Sequence, residues 1–159
     1  MASEAGGLFR NGTTPEEDTM GAETAARMSV EETRAVIDRY LASGHSDASM
    51  LSPDAEFTIM GTGDVHRGPE GILGMLHWFY HVAFEATAEL RNIVVGEGSA
   101  VAEFDFVGKH IGEFARVPAS GKDVRVPLAV AYDVEGGKIV RGRVYFETPA
   151  FLAQVGALG

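Results

Sequence analysis

The chain has 159 residues, 45% hydrophobic and 23% charged, with no cysteine and a formal net charge of −10. That balance predicts one globular domain with a sizeable core, and the missing cysteines exclude disulfides, thiolate metal sites and cysteine nucleophiles. Phosphates are repelled by so acidic a surface, so neither nucleic acid nor an anionic membrane is expected as a partner.

No apolar run reaches the roughly 18 residues of a membrane span. The start lacks a basic, apolar leader, and a cytoplasmic location is expected on that ground. Residues 1–28 are rich in Gly, Thr, Glu and Ala without apolar period, which predicts a flexible tail before a single domain over 29–159. Ser29 followed by Glu32 forms a capping-box pattern, and Val30, Val36, Ile37, Tyr40 and Leu41 carry helical spacing up to Gly44. A short turn is expected at 47–51, a strand at 55–60 and a loop at 61–68. Pro69 and Glu70 then open a second helix, apolar almost all round and so expected to be buried on more than one side. From Ala86 the period shifts towards two, giving strands at about 87–96, 99–109, 122–134 and 138–148 with glycine turns between them. A last helical turn falls in 150–158. Helices followed by an antiparallel meander make an α+β pattern.

Several phrases in this order carry a resemblance. Between two strand-like runs stands GKHIGEFARVPASGK, residues 108–122, with His110 and Glu113. Leu51-Ser52-Pro53-Asp54-Ala55 leads into Phe57, and Arg67-Gly68-Pro69-Glu70-Gly71-Ile72 opens the second helix. Gly136-Gly137-Lys138-Ile139-Val140, Tyr145-Phe146-Glu147 and the tail Phe151–Gly156 with Gln154 follow. Over 29–159 the chain resembles the SnoaL-like polyketide cyclase family of the nuclear-transport-factor-2-like superfamily. The resemblance implies a cone-shaped barrel of helices packed on a curved, mostly antiparallel sheet, enclosing a pocket. It also implies a homodimer formed through the open sheet face. The chain departs from the family's wording at Ile59-Met60, Glu103-Phe104, Arg143 and Glu147.

Glu103 and Asp105 are two residues apart on one strand, so they share a face with Val101 and Val107, with Cα atoms about 6.6 Å apart. Desolvated together, one would be a proton donor beside an ionised base, which suits enolisation, cyclisation or epoxide opening. Alternatively the face is exposed, or pairs with Arg125, Arg141 or Arg143 across the sheet. His110 either exchanges protons at the strand mouth or braces its loop. His77 and His81 stand at i and i+4, but Trp78 occupies the place of a zinc-protease glutamate and no third ligand is in view, so no metal is expected. Both histidines are expected to border a pocket or to make core hydrogen bonds, and the pocket's apolar walls are expected from Met60, Trp78, Phe79, Val126 and Leu128. Tyr145 is positioned either to hydrogen-bond a ligand carbonyl or to join a dimer interface. No glycine-rich nucleotide motif or G-x-S-x-G element occurs.

Taken with the resemblance, these residues predict a cofactor-free acid/base enzyme, a cyclase or isomerase on a hydrophobic carbonyl-bearing substrate. Glu103, Asp105 and His110 are the expected catalytic groups. Epoxide hydrolysis and non-catalytic small-molecule binding are the alternatives on the same scaffold.

Overall fold

The computed structural model describes residues 27–157. The predicted tail lies outside them except for Arg27 and Met28, and Met28 packs on the core.

Helix α1, Val30–Ala42, starts on the complete capping box: Ser29 Oγ accepts from Glu32 N at 3.0 Å and Glu32 Oε1 accepts from Ser29 N at 2.9 Å. Its buried Thr33 accepts from Gly98 N at 2.9 Å, which ties the helix to the turn between two later strands. After a short 3₁₀ turn at Ala48–Met50 come strand β1, Leu51–Ile59, and strand β2, Asp64–Arg67. Helix α2, Gly68–His77, passes into a π-helical turn, Trp78–Ala83. Four long strands follow: β3, Phe84–Val95; β4, Ser99–His110; β5, Asp123–Glu135; and β6, Lys138–Phe146. Helix α3, Thr148–Gln154, comes last.

The sheet runs β2-β1-β6-β5-β4-β3, antiparallel at every junction except β1 against β6. This is the expected curved α+β architecture, and the sheet stays open, with β2 and β3 as its two edges. Alternation on β4 and β5 is strict. Ala102, Phe104, Phe106, Val126, Leu128 and Val130 face inward, while Glu103, Asp105 and Arg125 face outward.

Six phenylalanines, at 79, 84, 106, 114, 146 and 151, fill the end of the concave face near α3, with Phe79 and Phe106 4.6 Å apart and Phe84 and Phe106 4.9 Å apart. Offset and edge-on rings pack such a space densely. Gln154 docks α3 by taking the Arg125 N–H at 2.8 Å and donating to the Arg125 carbonyl at 2.7 Å.

Two expectations change here. The segment expected as a loop contains β2, a short edge strand. The second helix is not buried all round either: Trp78 and Val82 are 43% and 48% exposed.

Candidate functional site

The aromatic filling stops short of the other end of the concave face. There β3 presents the small Ala86 and Ala88 beside Leu90, and an open cleft of about 720 Å³ remains. That volume suits a drug-sized molecule. Its walls are the last turns of α1, the α2–π segment and β3, with Leu41, Leu73, Leu76 and Leu90 as apolar lining and Phe104 among its residues.

His45 enters this cleft through the way α1 ends. Gly44 has a φ of 69° and donates to the Leu41 carbonyl, and His45 N donates to the Tyr40 carbonyl at 3.3 Å. This is a glycine-capped helix end. His45 itself has a φ of 64°, a left-handed conformation that costs a side-chain-bearing residue about 1 kcal/mol. The imidazole packs among three rings: stacked on Tyr80 at 6.0 Å, and edge-on to Tyr40 at 5.4 Å and to Phe104 at 5.7 Å. Burial pushes its pKa below the usual histidine value, with the Gly44 backbone partly opposing the shift. Burial raises the Tyr80 phenol well above its ordinary value, so that hydroxyl stays protonated. Among the described residues the buried Tyr40 hydroxyl has no hydrogen-bond partner.

His77 and His81 both line the cleft, their ring centroids 5.3 Å apart. The wider π turn carries more residues per turn than an α-helix, which keeps positions four apart nearly in line. His81 Nδ1 lies 3.6 Å from Glu85 Oε2. Among the described residues no group of three or more His, Cys, Asp or Glu is placed to hold a metal ion.

The other expected site residues lie elsewhere. Glu103 and Asp105 do share a face, but it is the outer one. Asp105 accepts from Arg125 at 2.7 Å with Arg91 3.7 Å away, and Glu103 accepts from Asn92 at 3.0 Å. With Tyr145 and Glu147 they border a shallow hollow of about 240 Å³ on that face, with no histidine among its residues. The expected dyad is thus neither enclosed nor near His110. The alternation that joins the two acids also sends Phe104 and Phe106 inward and the acids outward.

His110 is fully buried and lines neither cavity. Its Nδ1 accepts from Ser120 N at 3.2 Å and lies 2.9 Å from Ser120 Oγ, while Nε2 has no partner and the ring meets Phe151 edge-on at 4.9 Å. It braces the 111–121 loop. The neighbouring glycines are equally structural: a Cβ on Gly108 would strike the Glu85 carbonyl, and one on Gly112 the Val82 carbonyl.

Of the expected apolar walls, Phe79, Val126 and Leu128 are core residues. Met60 and Trp78 stand on the surface away from the cleft, and Tyr145 is on the outer face. His45 carried no sequence signal except its place directly after the helix-ending Gly44. Tyr80 was readable as one of the second helix's aromatics, a group expected to pack in the core or to wall a pocket.

A SnoaL-like polyketide cyclase family model matches residues 45–155. Among solved structures, a SnoaL-like protein from Jannaschia sp. CCS1 is 17% identical, with a TM-score of 0.71 over 84% of this chain and 99% of that one. TsrD from Streptomyces laurentii is 23% identical, with a TM-score of 0.68 over 82% and 99%. IdmH from Streptomyces antibioticus is 25% identical, with a TM-score of 0.62 over 79% and 97%. No curated protein matches the sequence. With its motif glycines and His110 accounted for as packing, its sheet order established and the family model spanning most of the described residues, the chain belongs to the SnoaL-like polyketide cyclase family.

Proposed function

We propose that the chain catalyses proton transfer on a hydrophobic, carbonyl-bearing small molecule bound in the cleft, as a cyclase or isomerase, with His45 as the exchanging group. The observation that carries this reading is a desolvated imidazole of lowered pKa set among aromatic rings at an apolar cleft. Kept neutral near pH 7, His45 is able to take a proton from the carbon next to the carbonyl. The C–H electron pair moves onto the carbonyl oxygen as the proton reaches the imidazole. Tyr80, whose phenol burial keeps protonated, is available to donate to that developing oxyanion. Returning the proton to another carbon gives isomerisation; attack of the enolate on a second carbonyl gives ring closure. Family membership and the likeness to IdmH, described as a candidate polyketide cyclase, support this class of chemistry.

The test is hydrogen–deuterium exchange at the α-carbon of a naphthyl methyl ketone, followed by NMR. Exchange accelerated by the protein and lost in H45Q supports the reading. Binding of the ketone without accelerated exchange identifies a non-catalytic binding protein instead.

The same reading has the chain pair with a second copy through the outer sheet face. Val94 and Val101 are exposed there on adjacent strands; Asp105, Asp133, Arg125, Arg141 and Arg143 are already paired within the chain, and Glu103 accepts from the Asn92 amide. A sedimenting dimer that V101E dissociates would support this. A wild-type monomer at every accessible concentration would contradict it.

A further inference from the structure

Among the described residues, those lining the cleft include no lysine or arginine. Asp38, one helical turn before Leu41 and Ala42 on α1, is the one carboxylate among them, and it has no ion pair among the described residues. Of the other described aspartates, Asp47, Asp105, Asp123 and Asp133 each meet an arginine or lysine within 3.0 Å, while Asp54 and Asp64, outside the cleft, are unpaired like Asp38. The whole chain, at −10, adds a field of the same sign as Asp38.

We propose that the cleft selects its ligand by charge, favouring a hydrophobic molecule that bears a protonated amine directed toward Asp38 and turning carboxylates away. This rests on the cleft being the ligand site and narrows the substrate class proposed above to amine-bearing or uncharged carbonyl compounds. An anion in this cleft would meet a like charge in partly apolar surroundings with no lysine or arginine among the described lining residues to offset it, whereas an ammonium would gain the carboxylate.

Three probes of one shape separate the outcomes: a naphthyl methyl ketone, naphthylmethylammonium and naphthoate, titrated calorimetrically into the full chain at pH 8 and low salt. The ammonium is expected to bind about tenfold more tightly than the carboxylate. D38N should remove most of that advantage. Naphthoate binding as well as the ammonium, or a preference untouched by D38N, would overturn the proposal. A second variant tests the foundation separately. L90W narrows the cleft from an exposed position and so leaves the fold intact. Binding of all three probes unmoved by L90W would show that the cleft is not the ligand site, and the charge preference would fall with it.

Discussion

His45 lies stacked on Tyr80, ring centroids 6.0 Å apart with 15° between their planes. One ring comes from the end of α1 and the other from the π turn after α2, so the contact joins two elements that wall the cleft. A proton-exchanging imidazole and a phenol that remains protonated are thereby held side by side in surroundings drier than water, where their interactions with a ligand oxygen are strengthened.

H45Q removes the base and keeps a polar side chain of similar reach. Ketone α-exchange is expected to fall by about 10²–10⁴-fold, with the circular dichroism spectrum unchanged. Retention of exchange would move the base elsewhere in the cleft, to His77 or His81.

D105N and E103Q are expected to leave exchange within about twofold of wild type. Asp105 is paired with a half-exposed Arg125 on the outer face, so D105N should cost no more than about 1 kcal/mol of stability in urea unfolding. Loss of exchange in either variant would restore the carboxylate pair as the catalytic centre.

The lowered pKa of His45 makes stability pH-dependent. The folded state binds this proton less readily than the unfolded chain, so its contribution is intact above about pH 6.5, the ordinary histidine value. It is lost as pH falls from there through the folded-state pKa. Denaturant midpoints should therefore drop more steeply over that interval in wild type than in H45Q. Parallel curves would show that His45 titrates normally.

G112A places a Cβ against the Val82 carbonyl, which is backbone and cannot swing aside. A loss of about 1–3 kcal/mol or more is expected from chemical denaturation. H110F should also destabilise, because Ser120 N loses its acceptor and the 111–121 loop its anchor. The readout that separates these structural roles from catalysis is exchange per folded molecule, expected to be unchanged in both.

Strand positions were legible where alternation was strong. The period of two over Ala102, Phe104 and Phe106 reads directly as an inward face, and β4 and β5 fall within a residue or so of where that pattern puts them. Strand β2 was not legible, because Asp64-Val65-His66-Arg67 is short, polar and follows two glycines; its pairing comes from β1 rather than from its own pattern. The π turn was hidden for the same reason, since apolar residues all along 72–84 fit more than one helical period. At the site, spacing alone put His77 and His81 on one helix face, and the fold brings that face to the cleft. Choosing Glu103 and Asp105 weighted chemistry over packing: their neighbours Phe104 and Phe106 bury far more apolar surface, and that decides which face turns inward. His45 follows a glycine outside any periodic segment, and only the chain's fold brings it to Tyr80 and Phe104.

The most direct measurement is histidine-selective NMR of the full chain during titration with a naphthyl methyl ketone, since its five histidines report on distinct places in the fold. The His45 ring signals should shift together with those of His77 and His81, while the signals of buried His110 stay fixed. A bound ketone that leaves His45 unmoved, with changes confined to residues around Glu103, Asp105 and Tyr145, would contradict the cleft as the site and return it to the outer face of the sheet.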